Sequence, residues 1–300
     1  MTDLFSILIP EFEKEDAHFG AISVDGSTYV IFALPYVQLQ AVPDGYAFID
    51  SYYIASNRAY FLRKRLCGIL ETAGFETHVC EHSYKHIAAA TGLGVRLRST
   101  LIANEDFGTR MALEIIGVKG VFAKEITASE LYRDYPLSEK CRDCKICETL
   151  CPQGCIHENS FEYEKCTRHA QDNCFFSDEK SAKAAGTNLW GCDICQRFCP
   201  HNTHLPKREL NEEEKELFKL ENLFNAFSFG KKGCEPYRDI LGGNYLRPSR
   251  LLALTINVMA NSKKPEQYLP YVLKAECHAD ERVKAAVERF KKEIKFKDEP

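Results

Sequence analysis

Ten of the 14 cysteines lie between Cys141 and Cys199, and their spacing is the part of the sequence best able to do chemistry. Cys141, Cys144, Cys147 and Cys151, followed by Pro152, form the run C-x2-C-x2-C-x3-C-P. Two-residue spacers let one loop offer three thiolates to three corners of a [4Fe-4S] cubane, while the fourth cysteine, turned away before proline, ligates a neighbouring cluster. Such a run demands a partner. Cys192, Cys195 and Cys199 before Pro200 supply it, with one leading cysteine missing. Crossover then assigns Cys141, Cys144, Cys147 and Cys199 to one cluster, and Cys151, Cys192, Cys195 and one further cysteine to the other. Cys166, between the two motifs, is the expected eighth ligand; Cys174 is the second choice and Cys155 the third. Two zinc sites built from the same C-x2-C units are the competing reading. The proline-terminated run with a second x3-Cys-Pro favours cubanes, and disulfides come third, because clustered thiols in a reducing compartment read first as ligands.

Three segments must position these cysteines, and together they predict an α+β chain. Residues 1–135 read as an α/β domain. Ala21–Val24, Tyr29–Leu34 and Met111–Val118 are apolar runs of strand length, Ser51–Ala73 has helical spacing, and Ser83–Thr91 suggests a short helix ended by Gly92-Leu93-Gly94. Residues 136–205 form a ferredoxin-like insert with little periodicity, as expected where metal bonds replace an apolar core. Residues 206–300 turn helical, at Glu212–Phe227, Leu246–Asn261, Tyr268–Lys274 and Asp280–Lys295. So few helices are expected to pack on the rest of the protein rather than stand alone.

Composition closes off several alternatives. The chain has 300 residues, 45% hydrophobic and 27% charged, which supplies an ordinary core and excludes disorder, collagen and coiled coil. Its longest apolar run, Tyr29 to Val42, is broken by Pro35 and Gln38 and falls short of the roughly 20 residues that span a bilayer. The amino terminus lacks a basic leader region, so a cytoplasmic protein without membrane attachment is expected. The formal charge is −4, with the last hundred residues mildly basic, so that phosphate attraction there would be weak. Cys67, Cys80, Cys234 and Cys277 stand alone and read as small core residues.

The Thr91-Gly92-Leu93-Gly94 turn followed by Thr100-Leu101-Ile102, the first cysteine run, the lone Cys166, the string Gly191-Cys192-Asp193-Ile194-Cys195-Gln196 and Cys199-Pro200-His201-Asn202 occur in this order. In that order they resemble the epoxyqueuosine reductase family, from about Ala21 to Phe290. The segment from Leu246-Arg247-Pro248 through Asn261-Ser262 to Ala285-Ala286 resembles the HEAT-like repeat that ends family members.

The resemblance implies two [4Fe-4S] clusters that pass electrons to a cobalamin, which removes the epoxide oxygen of epoxyqueuosine in tRNA. It implies a flavodoxin or ferredoxin as electron donor, and a monomer. Gly92, Gly94 and Arg98 would help to hold the cobalamin. The family's Trp-x-Gly-Lys after the turn is Val95-Arg96-Leu97-Arg98 here, its Asp-Tyr-His triplet has no match around Asp50, and Phe75–Thr91 contains no Asp. Glu81 and His82 are therefore the expected proton donors. The alternative is an electron-transfer paralogue that has lost cobalamin and tRNA activity.

Overall fold

A computed structural model describes residues 3–158, 160–173, 176 and 178–297; Cys174, the second choice for the eighth ligand, lies outside the described residues. The amino-terminal part is built on a five-stranded sheet. Its strand order is Thr77–His78, Met111–Lys119, Ser27–Pro35, His18–Val24 and Glu125–Ile126. All pairings are antiparallel except the last.

Ser27–Pro35 is buried on both faces, which explains its unbroken apolar sequence. Successive side chains of a strand alternate faces. Val30, Phe32 and Leu34 accordingly meet Leu62, Leu66 and Leu70 of the long helix Tyr52–Thr72, together with Leu4, Leu8 and Phe12 of the helix Leu4–Glu13. Tyr29, Ile31 and Ala33 meet Ile87 and Ala88 of the helix Tyr84–Ala90 on the opposite face. The first helix went unread in the sequence. Asp3 caps it by accepting from the Ser6 N–H at 3.2 Å.

The cysteine-rich segment and the chain just beyond it are each stitched to the sheet domain at one place. Asn188–Trp190 pairs in parallel with Phe48–Ile49, and Lys207–Arg208 pairs in parallel with Gln38–Leu39. Leu189 and Trp190 are fully buried in one core with Phe48, Tyr53, Phe218 and Leu251, so the line expected at residue 205 runs through continuous packing.

The helix expected over Glu212–Phe227 is two helices, Glu212–Phe218 and Leu220–Ser228. Lys219 between them is extended, at φ −63° and ψ 132°. The cause is tertiary. The Ala47 N–H donates to the Phe218 carbonyl at 2.9 Å and the Leu220 N–H to the Gly45 carbonyl at 3.0 Å, which draws the chain out of the helix. Asn211 and Glu214 cap the first of the two reciprocally. Beyond them Pro248–Ala260 packs against Leu220–Ser228 and Glu281–Lys297. It starts two residues later than the Leu246 expected, with Pro248 at its first position, where a missing N–H costs nothing. Tyr268–Lys274 resolves into the single turn Leu269–Val272 between 3₁₀ turns. No helix among the described residues is long and apolar enough to cross a membrane.

Candidate iron-sulfur centres and the adjoining cavity

Cys141, Cys144, Cys147 and Cys199 converge around a small cavity of about 20 Å³, bounded by Leu97, Lys140 and Pro200. These four are the set expected for the first cluster, and Cys195, expected in the second, lines the same cavity. Burial and the neighbouring thiols of Cys141, Cys144 and Cys199 push Cys147 up to about 11. Thiols crowded in this way give up their protons to a metal centre, because only the thiolate ligates.

Arg98, expected at a cobalamin, lines this centre. Its side chain is buried, and Nη2 donates to the Cys141 carbonyl at 3.0 Å and the Arg142 carbonyl at 3.1 Å. Nη1 donates to Glu148 Oε1 at 2.9 Å. The guanidinium fork thus holds both ends of the first cysteine loop. Arg98→Met should lower the iron content of the first centre while sparing the second, and Arg98→Lys should restore it only in part, because a point charge cannot replace a fork. Iron analysis with low-temperature EPR of the reduced protein reads both effects.

Gly92 and Gly94 shape the backbone ahead of Arg98. Gly92, at φ +71°, closes the helix Tyr84–Ala90. A Cβ on Gly94 would stand 2.6 Å from the Ala103 carbonyl oxygen, so the glycine admits the hairpin Val95–Arg96/Ile102–Ala103.

The second set of thiols opens on a much larger cavity of about 580 Å³. Cys151, Cys166, Cys192 and Cys195 all line it, and so does Cys155. The turn into Cys192 requires Gly191, which sits at φ +83° with room for no Cβ, since one would meet Asp50 Cβ at 2.6 Å. Burial pushes the Cys192 thiol up to about 12.

Asp193, between the two motif cysteines, is fully buried. It accepts from Gln38 Nε2 at 2.9 Å and Arg197 Nη2 at 2.6 Å, and Arg110 Nη2 lies 3.5 Å away. Asn202 accepts from the Thr109 N–H at 2.8 Å and donates to the Gln196 carbonyl at 2.8 Å. The Cys-Asp-Ile-Cys-Gln string is thereby locked to the sheet domain. Among the described residues no three His, Cys, Asp or Glu side chains draw together to hold a single metal ion. The thiols ring two cavities instead.

The rest of the large cavity is aromatic and hydroxylic, with Tyr36, Tyr52, Tyr84 and Tyr245 in its wall. Tyr36 also borders a second cavity of about 440 Å³, which contains Arg58, Arg110 and Arg208 and no cysteine. Two ionisable groups stand out in the large cavity. Burial lowers the Lys85 ammonium, helped by Arg168 and Arg96, and Nζ donates to Thr100 Oγ1 at 3.2 Å. Thr100 holds φ +63°, a left-handed conformation that a β-branched residue rarely adopts and one that clusters at functional sites. Burial raises the Asp172 carboxyl against the opposing pull of Arg168 and Arg250, and its Oδ1 is buried with no hydrogen-bond partner among the described residues. Arg168 lies over the Tyr52 and Tyr53 rings at 4.7 and 5.3 Å.

Glu81 and His82, the acids expected from the sequence, are not in this wall. Glu81 is exposed, and His82 Nδ1 lies 3.3 Å from the Tyr132 hydroxyl, edge-on to Tyr29. Lys85 and Asp172 escaped sequence reading. The available signal was Arg168 and Asp172 one helical turn apart, directly after Cys166.

Residues 140–202 match the family described as a 4Fe-4S double cluster binding domain. The epoxyqueuosine reductase of Listeria monocytogenes is 29% identical over 117 residues, which cover 39% of this chain and 28% of that protein. A structure of epoxyqueuosine reductase from Bacillus subtilis, with its catalytic loop swung out of the active site, superposes with a TM-score of 0.71 at 14% identity, covering 99% of this chain and 96% of that one. An epoxyqueuosine reductase crystallised with an epoxyqueuosine-modified tRNA stem loop gives 0.61 at 17% identity, over 89% and 82% of the two chains. The sequence match thus spans less than a third of the curated relative, while the fold extends over nearly the whole chain. The cysteine-rich segment is thus similar to a double-cluster domain, part of the sequence is similar to epoxyqueuosine reductases, and the fold of most of the chain is like theirs.

Proposed function

We propose that the chain is an iron-sulfur reductase of the epoxyqueuosine reductase type, carrying electrons from a flavodoxin or ferredoxin through two [4Fe-4S] clusters into the 580 Å³ cavity. The observation that carries this reading is the asymmetry of the two thiol sets. The first closes on almost no free volume beside exposed Lys140 and Ile146, and the second forms part of a chamber within the 300–1,000 Å³ range of ligand sites. Electrons would enter at the first centre and leave at the second. In this reading Cys141, Cys144, Cys147 and Cys199 hold one cubane, and Cys151, Cys166, Cys192 and Cys195 the other.

The substrate in this reading is the epoxyqueuosine nucleotide of tRNA. Loss of its epoxide oxygen as water consumes two electrons and two protons. Asp172, whose carboxyl burial shifts toward the protonated form, is the proton donor of the cavity, and Lys85 stands as a second. Cobalamin, which the family resemblance implies, is matched by the wall's flat aromatic faces and hydroxyls beside the second centre. Tyr36, Tyr84, Tyr245 and Thr100 would hold it, in place of Gly92, Gly94 and Arg98. Once bound it would supply a cobalt centre able to take up the electrons. The carboxy-terminal helices read as a HEAT-like layer, with exposed Arg247 and Lys264 available to tRNA phosphates. A cytoplasmic monomer fits this reading.

A second reading, an electron-transfer paralogue without tRNA activity, is favoured by one observation: Glu81 and His82 stand outside the cavity. One anaerobic experiment separates the two. Purified protein is supplied with cobalamin, a chemical reductant and epoxyqueuosine-containing tRNA, and the nucleosides are analysed by mass spectrometry. Product sixteen mass units lighter supports the reductase. Intact clusters with neither corrinoid uptake nor product would leave the carrier.

A further inference from the structure

Five cysteines line the second centre and a cubane takes four thiolates. The surplus thiol is placed with care. Cys155 is 1% exposed, its Sγ lies 3.3 Å from Cys151 Sγ, and it also touches the Cys166 thiol. Its backbone is pinned. The Glu162 N–H donates to the Cys155 carbonyl at 2.9 Å, Ile156 bridges Phe161, and the Cys166 N–H donates to the Tyr163 carbonyl at 3.0 Å, so the turn that closes residues 155–162 delivers Cys155 and Cys166 to one spot. No other described cysteine outside the ligand set is in this position. Cys80 donates to the His82 carbonyl, and Cys67, Cys234 and Cys277 stand away from both thiol rings.

We infer that Cys155 is a reserve ligand of the second cluster, and that either Cys155 or Cys166 can complete the set begun by Cys151, Cys192 and Cys195. The inference rests on the reading of this centre as a [4Fe-4S] site. Rotation of a cysteine side chain between staggered wells moves its sulfur by about 3 Å, the size of the gap between the two neighbouring sulfurs. Exchange then needs no backbone rearrangement: one thiolate leaves iron with a proton, the other loses its proton and binds, and the cluster's charge and electron count are unchanged. A site built this way keeps its cluster when one sulfur is oxidised or capped, which suits the centre that faces the open chamber.

The test compares Cys166→Ala, Cys155→Ala, the double variant and Cys192→Ala after anaerobic reconstitution, by iron and sulfide per chain and by EPR of the reduced protein, with the first cluster's signal as the internal control for folding. The expected result is wild-type iron in both single variants, with a shifted second-cluster signal in Cys166→Ala. The double variant and Cys192→Ala should fall to half. Cys166→Ala or Cys155→Ala falling to half alone would overturn the inference, because one of the two would then be indispensable. Full iron in the double variant would overturn it as well, and place the eighth ligand elsewhere. Wild-type protein that takes up no iron would sink the iron-sulfur reading itself, and a lost first-cluster signal in every variant would show that reading failing in a different way from the ligand exchange.

Discussion

Asp172→Asn should lower turnover of an epoxide substrate by on the order of 10²–10⁴, the usual contribution of a positioned general acid. The sign of its pH dependence follows from burial. The Asp172 carboxyl titrates above the ordinary carboxylate range, so it is protonated and active at the acid end, and turnover falls as pH rises through the raised value. Asparagine should abolish that limb of the profile. Folding behaves in the opposite way. Because the folded state favours the neutral form, ionised Asp172 costs stability above its unfolded pKa, and the substitution should leave the protein as stable at neutral pH as before, or slightly more so. A thermal melt beside a pH-rate profile therefore separates a proton donor from a structural group. Glu81→Gln and His82→Gln, outside the cavity, should leave turnover near wild type, and a large loss in either would move the chemistry to the loop before the helix Tyr84–Ala90.

Anaerobic removal of iron should unfold most of the cysteine-rich segment while the five-stranded sheet persists. Around the first centre the buried apolar cluster consists of Leu97, Ala103 and Cys141, which is far too little to order a loop region. Metal bonds must supply the rest, as in small metallo-domains that are unfolded when stripped. Limited proteolysis of the chelated protein should cut between Leu137 and Ala185. It should spare Leu189 and Trp190, which are anchored in the carboxy-terminal core, and the buried strand Ser27–Pro35. Equal protection with and without iron would mean that side-chain packing, rather than the clusters, holds the segment.

What could be read from the sequence was whatever is local or periodic. The run Tyr29–Leu34 announced a strand covered on both faces, and the cysteine spacing gave two interlocked sets whose members the structure brings together. Through-space choices were hidden. Spacing alone ranked Cys155 last, yet it sits against Cys151, because the turn closing at Glu162 folds it back. Arg98 is a cofactor ligand only by the family resemblance, and its carbonyl partners lie more than forty residues on. The break at Lys219 obeys no helix signal of its own; it answers to Gly45 and Ala47. The one signal for Asp172, an Arg four residues before it, is equally the pattern of an ordinary wet helix face.

The two parallel stitches have a consequence for how the chain is made. Gln38–Leu39 and Phe48–Ile49 leave the ribosome early, but their partners Asn188–Trp190 and Lys207–Arg208 follow some 140 to 170 residues later. At about 5–20 residues per second this is a wait of roughly ten to thirty seconds, during which these short edges stay unpaired. Iron delivery and edge pairing then fall in the same interval of synthesis, so a shortage of clusters in the cell should surface as aggregation of newly made chains before it surfaces as lost activity.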